Sequence, residues 1–184
     1  MILRSTIGFL LCGLVVYSNV CTAGTKSSVM IYSALEQPLP EGASCLIRHP
    51  VTEFAKWDHE STEPPPEVYP WFEQKMQKQL SSKLHLDVRF LTETSDTSTA
   101  FSIAAWVVKY ACRDTASFSP FTQGVANWSD IKFEKRIFAA VELLLSNDDA
   151  HTIMFAGQFT ASGNSYQKVF GKIVDEFVKA LKVK

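Results

Sequence analysis

Two long apolar stretches in the second half of the chain, residues 101–112 and 131–145, constrain the fold more than any other feature. In the first, Phe101, Ile103, Ala105 and Val107 fall on one face of an extended chain, with Trp106, Val108, Tyr110 and Cys112 on the other. A strand apolar on both faces is expected to be buried on both sides. The second stretch behaves similarly. It leads through Ser146, Asn147, Asp148 and Asp149, all turn formers, into a third extended piece at residues 151–160, so these two read as a β-hairpin. Strands this consecutive exclude a doubly wound parallel sheet.

The remaining elements follow from periodicity and punctuation. Residues 29–34 and 44–51 are β-rich pieces separated by residues 36–42, whose two prolines and one glycine mark a loop. Residues 52–66 are acidic and proline-rich. Val68, Phe72, Met76, Leu80 and Leu84 then recur every fourth residue with Trp71 alongside, a helical stripe, and Pro70 suggests that the regular helix begins there. Leu86, Val88 and Phe90 alternate with Asp87 and Arg89 as a half-buried strand does. The chain closes with a second helix carrying Tyr166, Val169, Phe170, Ile173, Val174, Phe177, Val178 and Leu181. Asn164 is placed to cap it, with Gln167 completing a capping-box arrangement, and Lys179, Lys182 and Lys184 suit the negative end of its dipole. The expected architecture is α+β: one mostly antiparallel sheet of about five or six strands with two helices packed on one face. A strand–helix–strand crossover around residues 44–91 closes it.

The amino terminus bears on compartment. Arg4 precedes an uncharged apolar run from Ile7 to Tyr17 and then small residues, too short for a comfortable membrane span, so residues 1–23 read as a secretory signal peptide and residues 24–184 as one domain. Cys21, Thr22 and Ala23 before Gly24 suit a signal peptidase. The competing chemistry is lipidation of Cys21, disfavoured by Val20 where a lipobox places a small residue. Either outcome exports the chain to a periplasmic or extracellular location, the second with an outer-membrane anchor. Cys45 and Cys112 are then the two cysteines of the folded part, and an isolated pair in an exported chain suggests one disulfide. Closing 68 residues, it would contribute about 4 kcal/mol; two free thiols are the alternative. Without its leader the chain has 17 basic against 19 acidic residues, which recommends no nucleic-acid partner.

The sequence carries few marks of chemistry. The sequence has no His-Glu-x-x-His, no Cys-x-x-Cys, no phosphate-binding glycine loop and no Gly-x-Ser-x-Gly elbow, so no catalytic residue, metal site or cofactor is assigned. Asp58, His59 and Glu60 are adjacent and, with Glu63 and Glu67, read as a solvated acidic loop; His49, His85 and His151 read as strand-end residues. The candidate interaction loop is residues 114–130, with Phe118, Phe121 and Trp128 among small polar residues. So long a connection with aromatic side chains suits a protein partner, a glycan or a membrane interface, and equally a plug over an open end of the core. Asn127-Trp128-Ser129 is a glycosylation sequon if the source is eukaryotic.

The leader with its nearby cysteine, the early strand, the Leu80-to-Leu84 stripe before Leu86-Asp87-Val88 and the closing AGQFTASGNSYQKVFGKIVDEFVKALK resemble bacterial envelope proteins of the TolB amino-terminal-domain-like group. That group includes the Pel polysaccharide-export lipoprotein, the curli-secretion lipoprotein and activators of peptidoglycan synthases. The resemblance implies noncatalytic work at an envelope, through protein partners or self-assembly, with membrane association through Cys21 or the aromatic loop. Two other functions fit the residues. One is a small-ligand or glycan carrier with a pocket under the 114–130 loop, and the other a secreted hydrolase whose histidines and carboxylates meet in one cleft.

Overall fold

A computed structural model describes residues 26–56, 58–90, 99–117 and 132–182. Seven strands form one sheet: β1 (Lys26–Ser33), β2 (Ser44–Ile47), β3 (Val51–Thr52), β4 (Asp87–Phe90), β5 (Phe101–Ser117), β6 (Lys132–Asn147) and β7 (Thr152–Gly163). The helices are α1 (Val68–Leu84) and α2 (Tyr166–Ala180). Strand order is β1-β7-β6-β5-β2-β4, with β3 continuing beside β5 where β2 stops. The β1–β7, β7–β6 and β6–β5 ladders are antiparallel; β2 is parallel to β4 and to β5, and β3 to β5. The β2–α1–β4 unit is the expected crossover. The sheet has one strand more than expected because Pro50, which has no amide donor, splits the second β-rich piece into β2 and β3.

Both helices pack on one face. Phe101, Ile103, Ala105 and Val107 of β5, Ala139, Val141, Leu143 and Leu145 of β6, and Phe155, Phe159 and Ala161 of β7 are buried there. They meet Phe72, Met76 and Leu80 of α1 and Phe170, Ile173, Val174 and Phe177 of α2 in one core. Helix α1 starts at Val68 despite Pro70, because amides in a first turn have no intrahelical partner to lose. It ends at His85, in the left-handed region at φ 54°. Ser165, not Asn164, caps α2: its hydroxyl accepts from the Lys168 amide at 3.4 Å. One residue of extended backbone at Ser165 is what an N-cap requires.

A bulge between Val107 and Lys109 changes the expected faces of β5. An extra residue reverses the alternation, so Tyr110 lies on the helix side, nearly buried and stacked on Phe170 at 6.2 Å. β5 also runs on through Asp114 to Ser117, where a loop was expected to begin. Beyond Ile137, where β7 ends, β5 and β6 continue as a two-stranded ribbon to the Ser117–Lys132 pair.

The expected Cys45–Cys112 disulfide is not formed. Cys45 registers with Phe101, and Cys112 lies eleven residues further along that strand, a separation of over about 30 Å, whereas bridgeable Cα atoms lie within about 7 Å. Cys45 is fully buried; burial first, and then the charge of Asp148, push its thiol up to about 12. Cys112 is exposed. With a thiolate-specific reagent, the folded domain is expected to titrate Cys112 alone, and Cys45 only on unfolding. Finding neither thiol reactive in denaturant would contradict these positions.

Candidate functional site

Among the described residues the opposite face of the sheet carries no helix. On β6 it presents Phe138, Ala140, Glu142 and Leu144; on β5 Trp106, Val108 and Lys109; on β7 Gln158 and Thr160; on the edge strand Met30 and Tyr32. Phe138, Met30 and Tyr32 are 37%, 39% and 47% exposed, large side chains that folding alone does not bury. Single exposed apolar residues are ordinary, but these lie along one uncovered face.

The chain after β3 gives this face its relief. The Glu53 amide donates to the Val107 carbonyl at 3.0 Å and the Thr62 amide to the Tyr110 carbonyl at 2.8 Å, so the segment leaves and rejoins the edge of β5. Between those anchors it passes over the uncovered face. A recess of about 550 Å³ results, lined by Phe54, Ala55, Asp58, Val108, Phe138, Ala140, Glu142, Gln158 and Thr160 among others. Its volume is within the range of small-ligand sites. Its apolar wall is Phe54 and Phe138; its rim is charged.

The acidic loop is solvated at His59, Glu60, Glu63 and Glu67, as expected, but Asp58 is tucked into its own fold. The Asp58 side chain, only 6% exposed, accepts from the Ser61 hydroxyl at 2.8 Å and from the Glu60 and Ser61 amides at 3.1 Å each. Lys109 lies 3.5 Å away, and Glu60 pairs with Arg113. The Ser61 hydroxyl bond, with the two amides and Lys109, holds the Asp58 carboxyl below its ordinary value, against the opposing effect of burial. Ionised Asp58 therefore stabilises the fold fully above the ordinary carboxylate pKa of 3.8, and that contribution is lost as pH falls through the lower folded value. Melting temperature is expected to fall on acidification below about pH 4, with a shallower acid limb in Asp58→Asn. Superimposable limbs would remove Asp58 from the account.

At the base of the loop, Thr52 donates to Glu63 at 2.8 Å and lies 2.5 Å from the Tyr69 hydroxyl, while His49 Nδ1 meets Glu73 at 2.7 Å. These contacts seat the loop on α1. His85 caps α1, and His151 occupies the β6–β7 turn, also at positive φ. Among the described residues no three His, Cys, Asp or Glu side chains are grouped to hold a metal, and no helix is long and apolar enough to cross a membrane. Phe118, Phe121, Asn127, Trp128 and Cys21 lie outside the described residues. Phe54 and Phe138, which build the recess, carried no local motif.

No protein family pattern matches the sequence, and no curated protein does. Solved structures do match. PelC from Paraburkholderia phytofirmans, crystallised as a dodecamer, aligns with a TM-score of 0.57 at 12% identity over 85% of this chain and 99% of its own. A point variant of the same dodecamer gives 0.57 at 10% identity over 86% and 98%. A lipoprotein from Neisseria meningitidis aligns at a TM-score of 0.41 and 13% identity, over 74% of this chain and 96% of its own. At such identities the likeness to PelC shows a shared fold.

Proposed function

We propose that this chain is an exported, noncatalytic envelope module that works by associating with proteins through the uncovered face of its sheet. The observation that carries the reading is the asymmetry of the sheet: among the described residues two helices cover one face, while the other leaves Phe138, Met30 and Tyr32 exposed and holds a charged-rimmed recess walled by Phe54 and Phe138. Exposed apolar and aromatic side chains beside a charged rim suit a protein-binding surface. Two further considerations support it. The leader implies export, and PelC, which shares this fold, crystallised as a dodecamer. Membership of the TolB-like group belongs to this proposal, as does removal of the leader before Gly24, with an acyl anchor at Cys21 as the alternative.

The test is the state of the protein in its own envelope. Intact mass reads processing and acylation at residues 21–23, and the size of the complex released by mild detergent reads association. A processed chain within a larger assembly is expected. A processed chain that is monomeric both in the extract and after purification would overturn the reading. The ligand-carrier alternative predicts instead that a bound small molecule raises the melting temperature of such a monomer.

A further inference from the structure

The two edges of the sheet differ in how they are protected. β4 is four residues long, and its exposed Asp87 and Arg89 are ion-paired at 2.8 Å, a short, charged edge of the kind that resists pairing. β1 is eight residues long, KSSVMIYS, with Lys26 as its one charge. Its far side faces no strand among the described residues.

Backbone direction along β1 can be read from its neighbours. The Met30 carbonyl lies against β7, 3.0 Å from where a Cβ on Gly157 would stand, and the Ser28 carbonyl accepts from the Thr160 hydroxyl at 3.3 Å. Alternate residues of a strand turn their amides and carbonyls to opposite sides. Ser27, Val29 and Ile31 therefore turn theirs to the open side, and all three precede the irregularity between Ile31 and Ser33.

We infer that β1 pairs antiparallel with β1 of a second copy of this chain, about a two-fold axis through Val29. In that register Ser27 faces Ile31 of the other copy and Val29 faces its counterpart, each exchanging hydrogen bonds through groups left open in one copy. The side chains agree with it. On the uncovered face Ser28 stands opposite Met30, and Lys26 opposite Tyr32. Lys26 and Glu142 have no ion-pair partner among the described residues, and Glu142 is close enough to Tyr32 for its charge to help raise the tyrosine hydroxyl, after burial. The Lys26 cation of one copy thus meets an aromatic ring and an acidic field on the other. Pairing joins the two uncovered faces into one continuous surface.

This inference goes beyond the association reading: it adds a contact between two copies at the sheet edge and leaves the uncovered face to other protein partners. Sedimentation of the purified protein is expected to show a concentration-dependent monomer–dimer equilibrium. Val29→Pro removes an amide that its own sheet does not use, and is expected to leave the fold intact while raising the dimer dissociation constant about tenfold or more. A second measurement does not depend on that variant folding. In chains whose exposed Cys112 is replaced by Ser, mixing Ser28→Cys with Met30→Cys is expected to give a mixed disulfide dimer, in preference to either homodimer. A protein that stays monomeric at every concentration would overturn the inference, as would a folded Val29→Pro that still dimerises or cysteines that do not select each other. Association that survives these changes but is lost in Phe138→Glu would overturn the β1 pairing while leaving the association reading standing.

Discussion

Phe177→Ala is expected to cost about 3–5 kcal/mol of unfolding free energy, a large part of what a domain of this size possesses. Phe177 is fully buried on α2, with its ring 5.7 Å from Phe155 at 66° and 5.7 Å from Phe159 at 83°, both edge-on contacts to β7. Removing it leaves a ring-sized cavity where the carboxy-terminal helix meets the middle of the sheet, and two aromatic contacts are lost with it. The neighbouring turns of α2 hold Phe170 against Phe72 of α1 and Tyr110 of β5, so the helix is the element that joins the crossover to the antiparallel strands. Phe177→Leu keeps most of the volume and is expected to cost much less. Denaturant titration of both variants checks the order; a loss under about 1 kcal/mol in Phe177→Ala would mean that α2 does not close the core.

Phe138→Glu is expected to behave in the opposite way, with stability nearly unchanged and association strongly weakened. Phe138 is exposed on the uncovered face and forms the wall shared by the 550 Å³ recess and the neighbouring hollow lined by Glu60, Lys109, Ala111 and Arg113. An exposed substitution of this kind changes stability by about 0.5 kcal/mol or less. A buried aromatic anchor at an interface is worth about 2 kcal/mol or more, so the affinity for its partner is expected to fall about thirtyfold. Lys172→Glu on α2, away from this face, is the control and is expected to bind as the wild type does. Parallel loss in both variants would show that charge balance, not the uncovered face, governs association.

The elements were legible in the sequence wherever one period ran without interruption. Every fourth residue from Val68 to Leu84 gave α1, and the turn cluster at residues 146–149 gave the β6–β7 hairpin. Local backbone events were not legible. The bulge after Val107 leaves no mark in composition, yet it turns Tyr110 from one face of the sheet to the other. The shift of the cap from Asn164 to Ser165 depends on one backbone conformation that either residue adopts. The disulfide expectation failed because it rested on cysteine number and compartment, whereas bridging depends on register, which puts Cys45 and Cys112 far apart along β5.

The candidate surface was present in the sequence in a form easily misread. β5 and β6 are apolar on both faces, which suggested strands buried on both sides. Among the described residues, however, both helices cover one face of the sheet and none covers the other. The excess of apolar residues over helices to cover them was the available signal. Phe54 had no comparable signal, because its position over the sheet depends on where the chain leaves and rejoins β5, at Glu53 and Thr62.

The central claim, that the uncovered face is where this protein meets its partners, is tested most directly by photo-crosslinking in the producing cell. A photoreactive phenylalanine analogue replaces Phe138 on that face in one strain and Lys172 on the helical face in another, with expression and melting temperature matched. The account predicts discrete higher-mass adducts of the chain from position 138 and none from position 172. Adducts from position 172 with none from position 138 would contradict it.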